Sequence, residues 1–145
     1  MWGKHFDETS ASIFVTSLRN KGIRVQLVGL GGTSASGYHG LTLTSDASLR
    51  EVAQDVNSAV CVILPCEMAY VRPFEDDPRL QQFMDTANDN HAYILIPHTQ
   101  KSDQSKLLAK TNGNLYRYPS REQLVSYAQT FAQDLHNQFL QTDTS

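Results

Sequence analysis

The chain has 145 residues, 40% of them hydrophobic and 19% charged, with a formal net charge of −3. That length suits one domain able to bury roughly 68–70% of the surface its unfolded form exposes, and the balance carries no signature of disorder. The mild acidity offers no electrostatic footprint for nucleic acid or an anionic membrane, and no apolar run approaches the roughly 18–20 residues of a membrane helix.

The first residues, Met1-Trp2-Gly3-Lys4-His5-Phe6, hold no apolar core of signal-peptide length, so a cytoplasmic location is expected. Cys61 and Cys66 suit that compartment as reduced thiols. Five residues apart on what reads as one strand, they would point to opposite faces, which argues against a mutual disulfide.

Asp7 is placed to cap a helix running to about Lys21. Ala11, Phe14, Val15 and Leu18 form its apolar stripe, and Gly22 supplies the stop. Residues 23–30 read as a strand that becomes more apolar towards its end, followed by a flexible loop over 31–37. Gly29, Gly31 and Gly32 hint at a dinucleotide fingerprint, but no third glycine and no helix follows at the required place, so a turn is expected. Residues 38–44 alternate enough for a short edge strand or small hairpin. Asp46 or Ser48 caps a second helix, Ser48-Leu49-Arg50-Glu51 having capping-box form, with Leu49, Val52, Ala53 and Val56 facing inward.

Ala59-Val60-Cys61-Val62-Ile63-Leu64 is an unbroken apolar run of strand length, closed by Pro65. A strand apolar on both faces belongs inside a parallel sheet with helices above and below. In such sheets the loops beyond the carboxyl ends of the strands form the ligand crevice, which places Pro65-Cys66-Glu67 at the candidate site. Asp77-Pro78 then opens a helix with Leu80, Phe83, Met84 and Ala87 buried. Residues 91–97 read as a strand, 98–114 as polar chain with at most a helical turn around Lys106-Leu107-Leu108-Ala109, and 115–118 as a short strand. Ser120-Arg121-Glu122-Gln123 opens a closing helix carrying Leu124, Ala128, Phe131 and Leu135, with 141–145 as a loose tail. The order, strands separated by single helices, predicts one three-layer α/β domain over residues 1–145 with a mostly parallel sheet and loose ends at 1–5 and 141–145.

Several stretches resemble one family. Phe6-Asp7-Glu8 before the first helix, Leu18-Arg19-Asn20-Lys21-Gly22-Ile23-Arg24-Val25, Val28-Gly29-Leu30-Gly31-Gly32, Gly40-Leu41-Thr42-Leu43-Thr44-Ser45-Asp46-Ala47-Ser48-Leu49 and the apolar strand ending in Leu64-Pro65 are similar in order and spacing to the DJ-1/PfpI superfamily. Asp77-Pro78-Arg79-Leu80 and residues 91–96 continue the likeness. The resemblance implies a flavodoxin-like sandwich, usually dimeric. Its members include cysteine hydrolases, glyoxalase- or deglycase-like enzymes, stress chaperones and regulatory domains. Their site uses a cysteine on a strand-to-helix elbow, an acid on the first helix, and backbone amides after the Leu-Pro strand.

Carried over by position, the resemblance puts the nucleophile at Pro97, which has no nucleophilic atom, and the acid at Ser10, with Glu8 nearby. His98 falls where some members have a histidine after the cysteine, Cys66 and Glu67 fall on the paired glycines, and Thr99-Gln100 stand where the elbow glycine is expected. The family's first strand has no counterpart before Phe6. Either the strands beginning near Ile23 and Ala59 pair directly, or a partner chain covers the gap.

Three functional expectations follow. The first is a non-catalytic domain acting by binding or assembly, as a homodimer. The second is a thiol enzyme or redox sensor using Cys66 with His98 and Glu8 or Glu67; here neighbouring Glu67 disfavours the thiolate through like charge, and a strand-end cap is the plainer role for His98. The third is a regulatory small-molecule-binding domain using the same crevice. Asp7, Glu8 and Ser10 are otherwise explained as helix-start residues. Cys61 reads as a small buried hydrophobe. His5, His39, His91 and His136 show no metal-ligand spacing, and no cofactor is implied.

Overall fold

The structure, a computed structural model, describes residues 6–30, 34–52, 59–66, 71–98, 108 and 114–143. Helix α1 (Glu8–Asn20) starts where the sequence places its cap: the Asp7 carboxylate accepts from Thr9 N–H at 3.1 Å and from Ser10 Oγ at 2.7 Å. It stops at Gly22, whose φ of +76° an L-residue with a side chain adopts only at a cost.

The predicted strand at 23–30 is realised only as β1 (Val28–Gly29), which pairs in parallel with β4 (Ala47–Ser48). Residues 23–27 stay outside a ladder. Asp46 anchors the start of this pair, accepting from Leu27 N–H at 2.8 Å and pairing with Arg19 at 3.3 Å. The predicted stretch at 38–44 is a hairpin, β2 (Ser34–Ser36) against β3 (Thr42–Thr44), with Tyr38 to Leu41 in its turn rather than in a strand. Ser48 rather than Asp46 caps α2 (Leu49–Val52). Glu51 N–H donates to Ser48 Oγ at 3.2 Å, and Ser48 Oγ donates back to Glu51 at 3.1 Å.

The apolar run gives β5 (Cys61–Ile63). It pairs in parallel with β6 (Tyr93–Pro97), which pairs in parallel with β7 (Leu115–Tyr118). Helix α3 (Pro78–Asp89) opens with proline behind an Asp77 cap. It closes on His91 at φ 58°, outside the strand the sequence suggested for it, with His91 N–H to Asn88 O and Ala92 N–H to Ala87 O, both at 3.0 Å. Helix α4 (Arg121–Asp143) runs further than expected, through residues 141–143. Of the helical turn expected around 106–109, only Leu108, in a turn and buried, lies among the described residues.

The period of two along β6 explains the layers. Ile94 and Ile96 face α2 and α3, with Leu49, Val52, Leu80, Met84 and Ala87. Leu95 faces α1 and α4, with Phe14, Leu124 and Ala128. All three β6 residues are fully buried, as expected of a central strand covered on both sides. The protein is therefore the three-layer α/β sandwich that its sequence implies. Among the described residues, however, the direct pairing expected across the gap does not form: β1 pairs only with β4, and β5 only with β6. The three-stranded sheet and the β1–β4 pair remain separate.

Candidate functional site

The carboxyl ends of β5, β6 and β7 converge on the start of α1. Asp7 N–H donates to Pro65 O at 2.7 Å, the Tyr118 hydroxyl donates to Leu64 O at 2.8 Å, and His98 N–H donates to Tyr118 O at 3.0 Å. Four charged or titratable side chains gather at this edge. Glu8 is only 3% exposed. Its carboxylate receives His39 N–H at 2.9 and 2.8 Å and Leu41 N–H at 3.0 Å, and its Oε1 lies 3.0 Å from His39 Nδ1. Burial alone would push the Glu8 carboxyl up. The amides of His39, Glu8 itself and Leu41, together with the His39 ring, outweigh that and hold it down to about 2.

Arg121, at the start of α4, closes the cluster. Its guanidinium lies 3.1 Å from His39 Nε2 and 3.5 Å from Asp7 Oδ1. Arginine can only donate, so His39 Nε2 accepts and the ring hydrogen sits on Nδ1, facing Glu8. The tight approach is set by Gly37. A Cβ there would lie 2.2 Å from Glu8 Cδ and 2.5 Å from Oε1, so the hairpin turn can close over the carboxylate only where there is no side chain. Gly37 is held from both sides, its N–H on Leu41 O at 2.8 Å and its strand neighbour Phe6 in a parallel bridge.

Asp7, Glu8 and His39 present potential metal-ligand atoms within 4.8 Å of one another. The donor set does not fit a cation well. Arg121 already supplies positive charge between His39 and Asp7, and both Glu8 oxygens are engaged by backbone amides. What this arrangement does is fix a turn to a helix.

The residues singled out in the sequence divide clearly. Glu8 is central, but as an anchor for residues 37–41. Ser10 is buried and spends its hydroxyl on the Asp7 cap. Pro97 ends β6, opposite Tyr118 in the ladder, and His98 follows it, exposed. Cys66 follows β5, is 6% exposed, and belongs to the apolar cluster of Phe6, Val71 and Leu80. It also neighbours Tyr118, whose phenol is pushed above its usual value first by burial, then by Cys66 and Asp7. Glu67 lies outside the described residues. Cys61 is half-buried, and desolvation pushes its thiol up to about 12. Neither cysteine is in a disulfide. Gly37, His39 and Arg121 carry no local sign of their roles, because each acts on a partner far away in sequence. The one available hint was an acid at a helix start followed later by two closely spaced glycines, Gly37 and Gly40.

A parallel sheet between helical layers, with polar groups gathered past the carboxyl ends of its strands, defines a flavodoxin-like α/β protein. More particularly, the fold is that of the DJ-1 superfamily, so the resemblance in the sequence holds at the level of the fold. DJ-1beta of Drosophila melanogaster superposes with a TM-score of 0.70 at 18% identity, over 92% of this chain and 86% of that one. The oxidized DJ-1 of Toxoplasma gondii gives 0.70 at 14% identity, over 94% of each chain. A cysteine-to-alanine mutant of a DJ-1 superfamily protein from Salmonella typhimurium gives 0.69 at 16% identity, over 91% and 85%. No family model matches the sequence, and no curated protein does.

Proposed function

We propose that this chain is a divergent DJ-1/PfpI-like domain that has given up catalysis and acts by binding or assembly, as a cytosolic homodimer. The observation that carries this reading is Pro97. It stands at the end of β6 where the resemblance puts the attacking sulfur, and a proline ring offers no nucleophile. Three further features support it. Ser10 stands in the position of the acid and is tied to the helix cap. The Glu8 carboxylate has its oxygens filled by amides of the 37–41 turn, which leaves it poorly placed to take a proton from a substrate. Cys66 is buried in an apolar cluster, whereas a reactive thiol needs access and a stabilised thiolate. The exposed Tyr38 and Leu41, 68% and 61% accessible on one turn, suit a surface that a second copy covers.

The test is turnover. Purified protein assayed with glyoxalase, deglycase and peptidase substrates is expected to show none above background, and sedimentation at micromolar concentration is expected to show a dimer. Turnover abolished by Cys66→Ser would overturn the non-catalytic reading in favour of a rewired thiol site with His98.

A further inference from the structure

At the amino-terminal ends of β6 and β7, the far end of the sheet from the Glu8 cluster, lies a hollow of about 380 Å³, a size that suits a small molecule. Among the described residues its lining is Val60, Asn90, His91, Tyr93, Asn114 and Gln138. Five of these six side chains are polar, and none carries a carboxylate, an ammonium or a guanidinium. The end of α3 brings Asn90 and His91, the starts of β6 and β7 bring Tyr93 and Asn114, and α4 brings Gln138.

The wall is braced. Gln138 Nε2 donates to the Tyr93 hydroxyl at 3.2 Å, and Asn114 Nδ2 donates to His91 O at 3.0 Å. The Tyr93 ring stands edge-on to Phe131, 6.0 Å away, and 5.7 Å from the ring of Tyr116, which stays 44% exposed. These contacts use only part of the polar inventory. Among the described residues the Tyr93 hydroxyl proton, Asn114 Oδ1, both ring nitrogens of His91 and the side-chain amide of Asn90 meet no protein partner. His91 moreover keeps its place at φ 58°, which costs energy for a residue with a side chain. Glycine would close α3 equally well, so the imidazole at this hollow serves something other than the cap.

We propose that this hollow binds one uncharged cyclic polyol, a single pyranose sugar in size and chemistry. Amide, imidazole and phenol groups offer donors and acceptors side by side, and a ring bearing several hydroxyls answers both at once. The exposed Tyr116 ring beside Tyr93 supplies an apolar face for the C–H groups of such a ring. Other ligand classes fit less well. An anionic sugar finds no cation in the lining, a cationic ligand finds no carboxylate, and an apolar one would take water from five polar side chains and return no hydrogen bond. The inference goes beyond the non-catalytic reading and does not rest on it, because the hollow lies at the opposite end of the strands from Pro97, His98 and Cys66.

The test titrates the isotope-labelled full chain with glucose, galactose, mannose and N-acetylglucosamine, and with the methyl glycoside of each, and follows the backbone amides by NMR. At least one sugar is expected to saturate with a Kd of about 5 mM or tighter, moving the amides of residues 90–93 and 114–116. Tyr93→Phe, which keeps the ring and removes the hydroxyl, is expected to weaken that sugar about fivefold. Tyr116→Ala, at an exposed position, is expected to weaken it about threefold. Methyl glycosides that still bind mark the end of a glycan chain as the ligand and loss of binding marks a free sugar; either upholds the site. No saturation by any sugar, shifts that cluster at the Glu8 end instead, unchanged affinity in both variants, or tighter binding of glucose 6-phosphate than of glucose would each overturn the proposal. The turnover assays read the other end of the sheet, so the two ideas fail separately.

Discussion

Gly37→Ala places a Cβ where the fold already holds the Glu8 side chain. The new carbon would sit 2.2 Å from Cδ and 2.5 Å from Cγ and Oε1, about 0.9 to 1.2 Å inside the ordinary contact distance of about 3.4 Å, so something must move. Glu8 cannot yield without loosening its bonds to the His39 and Leu41 amides, and the turn cannot yield without breaking Gly37 N–H to Leu41 O or Tyr38 N–H to Phe6 O. Overpacking of this kind costs about 1–3 kcal/mol, and at about 2–4 °C per kcal/mol for chains near this length the melting temperature is expected to fall by about 2–12 °C. The control is Glu8→Ala. With the carboxylate gone, alanine at position 37 has room, so the cost of Gly37→Ala should largely vanish in the double variant. That non-additivity is the signature of two groups competing for one space. Thermal unfolding of the four proteins by circular dichroism measures it. If Gly37→Ala costs as much without Glu8 as with it, the steric account of this turn is wrong.

Three further outcomes are expected. The Glu8 carboxyl is held to about 2 in the fold against its usual 4.5, so its stabilisation is fully present above about pH 4.5 and is lost as pH falls from there through 2; melting temperatures measured across that window should drop more steeply for the native protein than for Glu8→Gln. Cys61, its thiol pushed up to about 12 by burial, should resist iodoacetamide at pH 7 in the folded protein and react once urea unfolds it, which mass spectrometry of the alkylated peptide would read. His91 sits at φ 58° in the left-handed seat that ends α3, so His91→Gly should raise stability by about 0.5–1 kcal/mol, the relief of strain exceeding the extra chain entropy; a loss of stability in urea titration would contradict that.

Features governed by neighbours in sequence were legible from it. The Asp7 and Ser48 caps, proline at the first position of α3, and the stop at Gly22 each follow from a rule spanning four or five residues. The alternation of Ile94, Leu95 and Ile96 between two helical layers follows from the run of apolar residues alone. The extent of β1 was not legible. Residues 23–27 have strand composition, but a strand exists only where a neighbour pairs with it, and here β4 offers only Ala47 and Ser48. The role of Glu8 was likewise hidden. An acid in the first turn of a helix is sufficiently explained by the helix dipole, and nothing near it announces that the amides of His39 and Leu41 will arrive from more than thirty residues away. The phenol of Tyr118, which ties β7 to Leu64, was not legible either.

The packing of α1 against α4 has a consequence for how the chain is made. Phe14 and Leu18 find their cover in Leu124, Tyr127 and Leu135, at the opposite end of the described sequence. During synthesis an early helix therefore waits with its oily stripe uncovered until the last one leaves the ribosome. Contacts of such long range close slowly, and in that interval the nascent chain offers chaperones a defined handhold that the finished molecule conceals.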